Sequence, residues 1–456
     1  MYLKHVTLTN IRSFHGKRRV DLDLTRPDGT YAGWTVLAGR NGSGKTTLLR
    51  AIALGMSGPN VARNLVTGFD MWISSGARGA TAKVQLEHDR ASDPFLSIEE
   101  EIPEGPFLAG LAWTAPHSKP EGTPPRFGQL RTSESEFQLA DVLPDRGPWS
   151  DGMPGWFCAG YGPFRRLAGG SSEVQRLMGA TGPVSRLTSL FHEDASLAEG
   201  VSWLIEQHLR AFEKRAGAQE LKDAALAILA DDLLPDDYQI DSVDSEGLWV
   251  VHGDHRFPLR EMSDGYRTVA ALVVDLLKQL YNAYEGLTLD RSSGHPAIPY
   301  PGVVLIDEVD AHLHVTWQKR IGGWLKVHFP AIQFIVTTHS PYICQAADPG
   351  GLIRLPAPDE ARPAEVVSED LYQRVIYGSG DDAVLSDLFG LDSPYSEKAE
   401  EARDELLALE TDVLNGTASE AERHRYRELK RRLTSSPAAR AEEIETLLHG
   451  RSTAGS

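Results

Sequence analysis

The spacing of apolar residues along the chain changes several times, and each change predicts a different kind of element. Near the start, Leu3, Val6 and Leu8 alternate with polar residues, and residues 20–24 do the same, which predicts two strands. Residues 82–102 repeat this alternation and predict further antiparallel strands. Residues 103–155 are rich in Pro, Gly and Ser and predict surface loops, whereas residues 184–234 have helical spacing.

The second half of the chain contains continuous apolar runs and then a charged tail. A short β segment is predicted at 247–259, and two strands are predicted within GVVLIDE and IQFIVTTHS, with a helix between them. Beyond about residue 360 the pattern predicts paired charged helices separated at Asn415 and Gly416, and a third helix capped by Ser436 with Pro437 in its first turn. We find no internal repeat.

Composition narrows the class of protein. The net charge of −18 argues against a surface that binds nucleic acid all over, although it leaves room for a local basic groove. The only cysteines, Cys158 and Cys344, fit a reducing compartment and exclude a disulfide framework or a cysteine-based zinc site. No signal peptide or membrane-length apolar run is visible, so we expect a cytoplasmic protein without a membrane partner.

A glycine-rich turn between a predicted strand and a predicted helix carries the first chemistry. The stretch GRNGSGKT (39–46) fits the phosphate-loop pattern, in which backbone N–H groups surround the β-phosphate of a nucleotide. Lys45 would reach the β- and γ-oxygens, and the Thr46 hydroxyl would ligate Mg²⁺. The predicted nucleotide-binding residues here are Gly39, Asn41, Gly42, Gly44, Lys45, Thr46 and Thr47.

A pair of carboxylates follows the buried strand of GVVLIDEVDAHLH. Asp307 would hold Mg²⁺ directly or through water, and Glu308 would act as general base on the attacking water. Asp310 with His312 and His314 would alternatively form a metal site, but histidines at the start of a helix explain this pair better.

Two further positions complete the predicted site. His339 ends the strand of IQFIVTTHS, where it would hydrogen-bond the γ-phosphate and sense its loss; read alone, it would be structural. In LREMSDGYRTVAALVVDLL, Ser263 and Asp264 are natural N-cap residues and Gly265 permits close approach of the backbone. Such a helix start favours an anion, although an ordinary capped core helix would also begin in this way.

The order of these motifs resembles the ATPases of the ATP-binding-cassette (ABC) class, in particular the RecF, SMC and OLD branch. The opening LTNIRSF and the block DEVDAHLHVTWQ…QFIVTTHSP carry this resemblance, which covers roughly residues 1–350. It implies an α/β fold with a mixed sheet, an antiparallel β layer and a helical signature lobe. The implied head is 1–360, with a nucleotide lobe (1–180 and 300–360) and a helical lobe (181–299), followed by a helical region at 361–456.

The resemblance also implies an assembly. Ser263 and Gly265 match the signature serine and glycine, which in this family contact the γ-phosphate of ATP held by the other subunit. We therefore expect a head-to-tail homodimer, or a higher homo-oligomer, around ATP and Mg²⁺. One departure is the glutamine that usually ends a strand joining the lobes: WFCAGYGPFRRLAGG has none, Gln129 lies in a stretch predicted as loop, and Gln175 comes later. Arg165 and Arg166 would contact a phosphate or form a solvated basic turn.

The tail bears on function. No Toprim or His-Asn-His nuclease pattern is visible, and the charged helices favour binding of a protein partner over nucleic acid. At this finer level the chain resembles the PtuA-type ATPases of Septu antiviral systems, which work with a separate HNH nuclease. We expect a regulatory ATPase of a defence complex. The alternatives are a RecF-like repair ATPase that binds DNA in its ATP state, and a scaffold in which ATP is structural.

Overall fold

The computed structural model describes residues 1–96, 104–114, 129–132, 144–150, 152–165, 171–384, 386–390, 393 and 395–433. The strands are β1 (Tyr2–Thr9), β2 (Val20–Asp23), β3 (Gly33–Ala38), β4 (Gly79–Glu87), β5 (Phe107–Thr114), β6 (Gln129–Thr132), β7 (Cys158–Tyr161), β8 (Gln239–Asp244), β9 (Gly247–His252), β10 (His255–Pro258), β11 (Gly302–Ile306), β12 (Ile332–Thr337), β13 (Leu352–Arg354) and β14 (Glu365–Val366). The helices are α1 (Lys45–Leu65), α2 (Ser172–Met178), α3 (Pro183–Phe191), α4 (Ala198–Phe212), α5 (Ala218–Ala230), α6 (Asp264–Tyr284), α7 (Val315–His328), α8 (Pro341–Cys344), α9 (Glu369–Tyr377), α10 (Gly380–Val384), α11 (Glu397–Asn415) and α12 (Glu420–Arg432). The chain divides into two compact units, Met1–Tyr372 and Gln373–Ser456.

A largely parallel sheet lies at the centre of the first unit, in the strand order β14-β13-β3-β12-β11-β7. β3, β12 and β11 pair in parallel, and β11 also pairs in parallel with β7. Nearly all residues of β3, β11 and β12 are buried, because helices or the second sheet cover both faces. Their carboxyl ends therefore meet at one edge, which is where ligands bind in sheets of this kind.

An antiparallel sheet forms a second layer, in the order β2-β1-β4-β5-β6. Helix α1 packs against β4 and β5 on one side and against β7, β11 and β12 on the other, so it joins the two layers. The prediction of loops throughout 103–155 was wrong for β5 and β6. β5 pairs with β4 along its whole length, and this pairing stabilises a strand whose Pro- and Gly-rich surroundings indicated a loop.

Helices and a small sheet form the rest of the first unit. The helical spacing over 184–234 is confirmed by α3, α4 and α5, and the predicted 247–259 β segment is confirmed as β9 and β10, which β8 extends to three strands. Helix α6 packs against α4 and α5 through an apolar face that runs from Val269 to Ala283. This face explains the apolar stretch that follows the polar start of α6.

The second unit contains the charged helices. α11 ends at Asn415, and Gly416 takes the left-handed conformation (φ 74°) that favours glycine after a helix, as the sequence predicts. Arg425 of α12 donates two hydrogen bonds of 2.8 Å to Glu405 of α11, so the two helices pair. The third predicted helix, at Ser436, lies outside the described residues. None of the described helices has both the length and the apolar character needed to cross a membrane.

Candidate nucleotide site

The phosphate loop, residues 39–46, connects β3 to the first turn of α1. Gly42 (φ 77°) and Gly44 (φ 99°) have left-handed backbone conformations that residues with a side chain rarely adopt. A Cβ atom at Gly44 would also lie 2.6 Å from the Phe14 ring, so glycine is required there for two reasons. The loop leads directly into the N-terminus of α1, whose free N–H groups favour an anion.

The Lys45 side chain folds back over this loop. Its Nζ donates to the backbone oxygens of Gly39 (2.7 Å) and Arg40 (3.2 Å). Burial lowers the pKa of Lys45 to about 8, against the opposing effect of the nearby Asp307 and Glu308 carboxylates. A phosphate oxygen would give this half-desolvated cation a charged acceptor in place of two neutral ones.

Asp307 lies at the carboxyl end of β11 and contacts two hydroxyl groups. Its Oδ2 accepts from Thr46 Oγ1 at 2.7 Å, and its Oδ1 accepts from Thr337 Oγ1 at 2.6 Å. Neighbouring oxygen ligands of an octahedral Mg²⁺ lie about 2.9 Å apart, since each metal–oxygen bond is about 2.1 Å. The Thr46 and Asp307 oxygens are close to that separation, so this pair fits Mg²⁺.

Glu308 follows Asp307 in an uncommon backbone conformation. Its φ is 46°, and its N–H donates to Thr337 Oγ1 at 2.7 Å. Burial raises the pKa of Glu308, and the carboxylates of Asp307 and Asp310 raise it further. A carboxylate with a raised pKa is a better proton acceptor, which suits a general base.

His339 lies just beyond β12, at the same edge of the sheet. The backbone N of His339 lies 3.4 Å from Asp310 Oδ1. The same oxygen accepts a hydrogen bond from Thr338 Oγ1 at 2.5 Å. Partial burial and the Lys45 cation lower the pKa of His339, which favours the neutral imidazole at neutral pH. Asp310 is thus engaged with the loop that carries His339.

The two histidines near Asp310 have separate positions. His314 is the N-cap of α7 and its Nδ1 accepts from Thr316 N, while His312 has a left-handed φ of 67°. Among the described residues, no group of three His, Cys, Asp or Glu side chains has the geometry to hold a metal ion. His314 thus lies at a helix start, as predicted, through its capping contact with Thr316.

Arg165 is not part of a solvated basic turn, so this one of its two predicted roles was wrong. It is buried, with 3% of its surface exposed, and its guanidinium donates to the carbonyl oxygens of Asp307 (3.1 Å) and Glu308 (3.1 Å). It also donates to Val309 and Ala311. Burial lowers the pKa of Arg165 to about 10, against the nearby carboxylates. Arg166 lies outside the described residues.

The start of α6 shows a contact within the same chain. Ser263 is the N-cap of α6, as predicted, but its side chain is exposed and makes no capping hydrogen bond. A Cβ atom at Gly265 would lie 2.4 Å from the His312 carbonyl oxygen, so this glycine lets α6 pack against the loop that follows Glu308. Across the described ranges, no hydrogen bond joins Ser263 to the phosphate loop of its own chain.

Several contacting residues were not predicted from the sequence. Thr337 and Thr338 position the carboxylates, and the only signal was a pair of hydroxyl residues directly after an apolar strand. Arg12 donates to Thr47 Oγ1 (3.4 Å) and lies over the Trp72 ring at 4.9 Å, beside the first turn of α1. The sequence indicated Arg12 only through its place in the stretch LTNIRSF.

Neither glutamine considered for the position between the lobes lies at the end of a strand. Gln129 begins β6, so the loop predicted for it was wrong, and Gln175 lies in α2. After β7 the chain leads instead to Arg165, the residue on the carbonyls of the 307–311 loop.

A phosphate loop, a threonine–aspartate pair and a glutamate lie together at the carboxyl edge of a parallel sheet, an arrangement that suits the phosphates of a nucleotide and Mg²⁺. Family models match twice. Residues 186–345 match "AAA domain, putative AbiEii toxin, Type IV TA system", and residues 5–102 match "AAA domain". Two parts of the chain are therefore similar to AAA domains.

Individual proteins match over different lengths. The Septu protein PtuA of Bacillus mycoides (strain KBAB4) is 24% identical over 341 residues, which is 75% of this chain and 38% of that protein. "Retron Ec83 probable ATPase" of Escherichia coli is 42% identical over 88 residues, or 19% of this chain and 15% of that protein. A solved SMC head bound to the C-winged helix domain of ScpA has a TM-score of 0.47 and 15% identity, covering 81% of this chain and 98% of that one. The chain thus spans less than two fifths of either curated relative.

Proposed function

We propose that this chain is an ATP-hydrolysing switch and that two copies close head to tail around ATP. The contact of Thr46 and Thr337 with Asp307, beside the left-handed Glu308, carries the proposal of hydrolysis. Thr46 and Asp307 would hold Mg²⁺, which neutralises charge on the phosphate oxygens when it is bound. Glu308 accepts the proton of the attacking water as that water's oxygen bonds to the γ-phosphorus and the bond to ADP breaks, giving ADP and phosphate.

Lys45 and His339 assist this reaction in the proposal. Lys45 moves from the carbonyls of its own loop to the phosphate oxygens, because hydrogen bonds to charged acceptors are stronger than those to neutral ones. His339, held next to Asp310, hydrogen-bonds the γ-phosphate and loses that partner when phosphate leaves. The nucleotide state therefore changes contacts at the sheet edge.

The proposal of a head-to-tail dimer is based on the start of α6. The Ser263 hydroxyl is exposed and is not used as a cap, and the polar first turn leaves N–H groups for an anion. In the proposed assembly, Ser263 and the Gly265 N–H contact the γ-phosphate in the partner's phosphate loop. Each subunit then completes the other's site.

The biological role follows from the relatives and is a proposal for this chain. The matches to a Septu protein and to a retron ATPase support a role in antiviral defence, and the resemblance to PtuA-type ATPases implies a regulatory or sensor subunit with a separate nuclease as effector. We propose that the paired helices α11 and α12 bind this effector, because their ionic surface suits a protein partner. Hydrolysis would then set whether the nuclease is restrained or active.

The test of the switch uses Glu308→Gln, which keeps the shape of the side chain but removes the proton acceptor. We expect ATP turnover to fall at least about a hundredfold, and the protein with ATP and Mg²⁺ to elute as a dimer in size-exclusion chromatography with light scattering. Lys45→Ala serves as the control that cannot hold ATP and should stay monomeric. A Glu308→Gln variant that keeps normal turnover, or that binds ATP as a monomer, contradicts the proposal.

A second experiment tests the defence role. The chain is co-expressed with the products of its neighbouring genes and purified with ATP and with ADP. We expect a nuclease to co-purify, and its amount to differ between the two nucleotides. If instead the chain alone binds duplex DNA with ATP, and this binding falls steeply with salt, the repair alternative is correct.

A further inference from the structure

The loop that carries the two acidic residues, 307–312, is fixed from inside the protein by one side chain. Arg165 donates to the carbonyls of Asp307, Glu308, Val309 and Ala311 at 3.1 to 3.4 Å, and to Gly162 at 3.5 Å. Backbone carbonyls are usually paired with N–H groups, whereas here a single buried guanidinium gathers four of them from one loop. Since a guanidinium has its donors in a fixed plane, it also fixes the directions of these carbonyls.

This loop needs such support because its backbone is strained. Glu308 (φ 46°) and His312 (φ 67°) are both left-handed, a conformation that costs a residue with a side chain about 1 kcal/mol or more. Thr337 accepts the Glu308 N–H, so the peptide on that side is fixed as well. The conformation of Glu308 is therefore held by Arg165 and the Ala311 N–H on its carbonyl and by Thr337 on its amide.

We infer that Arg165 is a positioning residue for hydrolysis, which holds the 307–312 loop in the conformation that directs the Glu308 carboxylate at the attacking water. This inference rests on the proposed function, in which Glu308 accepts the proton. It assigns Arg165 no contact with the nucleotide, because both Nη groups of this buried side chain donate to carbonyls of the loop. Arg165 follows β7, the strand that pairs with β11. The chain segment after β7 therefore helps to position the Glu308 carboxylate at the end of β11.

The test compares Arg165→Met and Arg165→Lys with the unchanged protein. We expect the dissociation constant for ATP to change less than about twofold, while kcat falls about a hundredfold in Arg165→Met and less in Arg165→Lys, which keeps a cation and three donors. Misplacing a reacting group by a fraction of its hydrogen-bond length has effects of that size. Arg210→Met, which removes an exposed arginine of α4, is the matched control and should change neither quantity.

A double variant separates positioning from general damage. If Arg165 acts through Glu308, adding Arg165→Lys to Glu308→Gln should leave the residual turnover unchanged, because the positioned group is already inactive. A further multiplicative loss, or a kcat for Arg165→Lys equal to that of the unchanged protein, overturns the inference. Normal turnover in Glu308→Gln alone would instead refute the proposed function, so the two failures are distinguishable. Thermal melting of Arg165→Lys in parallel verifies that it folds.

Discussion

At the residue scale, the site depends on hydroxyl groups as much as on charged ones. The sequence identified Lys45, Thr46, Asp307 and Glu308 because the phosphate-loop and strand–acid patterns have fixed spacing. It did not identify Thr337 as a partner of Asp307, because that contact depends on β12 lying beside β11. Pairing between strands distant in sequence cannot be read from local spacing, so contacts across strands were missed.

The unusual pKa of Lys45 predicts how ATP affinity depends on pH. Without ATP the pKa of Lys45 is about 8, and bound phosphate raises it because it favours the charged form. Below the free pKa the lysine is charged in both states, so affinity is constant. Above it, binding must take up a proton, so the dissociation constant should rise about tenfold between about pH 7 and pH 9.

Titration calorimetry in two buffers of different ionisation enthalpy measures both effects. Near pH 8.5, ATP binding should take up most of one proton, whereas near pH 7 the uptake should be small; the phosphate's own ionisation, near about pH 6, does not interfere. Lys45→Arg is the control, since arginine stays charged throughout this range. A dissociation constant that stays flat up to pH 9 would show that the Lys45 pKa is not lowered.

At the scale of elements, the first turn of α6 is fitted to the loop that follows Glu308. The pattern of α6 predicted its cap, Ser263, and its apolar face correctly. It did not reveal that Gly265 faces the His312 carbonyl, because that loop lies 47 positions away along the chain and meets α6 only in the folded molecule. Likewise β5 was missed because its partner β4, rather than its own composition, stabilises it.

Substituting Gly265→Ala tests this contact without nucleotide. The new Cβ would lie 2.4 Å from a backbone oxygen, so either α6 or the loop must shift, and we expect the free energy of unfolding to fall by about 1–3 kcal/mol. Urea denaturation of the ATP-free protein measures this change. Gly286→Ala, just beyond α6 and with no atom near its Cβ position, is the control and should stay within about 0.5 kcal/mol of the unchanged protein. Equal stability of the two variants would rule out the close packing.

At the scale of the whole molecule, the chain separates a nucleotide unit from a helical one. Met1–Tyr372 contains every residue of the candidate site, and Gln373–Ser456 contains the ion-paired helices α11 and α12. The change in pattern near residue 360 predicts a head at 1–360 and a helical region at 361–456, since core strands are apolar and exposed helices are charged, and this division stays a prediction. The residue pattern of one chain does not indicate which surfaces of two copies would meet. The head-to-tail arrangement was inferred from the resemblance to ABC ATPases.

The head-to-tail arrangement predicts that two inactive variants restore each other's turnover when they are mixed. If each site combines the phosphate loop of one copy with the Ser263 turn of the other, Lys45→Ala and Ser263→Arg should each abolish turnover alone. Mixed in equal amounts, the two variants can form dimers that contain one of each, and such a dimer has one fully unchanged site. Turnover should therefore return in the mixture, to at most about half of the normal rate per chain, because one of the two sites in a mixed dimer is intact.

The control for this mixture is the double variant carrying both changes in one chain, mixed with Lys45→Ala; no combination of these chains forms an unchanged site, so turnover should stay absent. A mixture of the single variants that also stays inactive, although light scattering shows dimers, would mean that Ser263 acts within its own chain. In that case the exposed hydroxyl at the start of α6 would not complete a neighbour's site, and the head-to-tail proposal would be wrong.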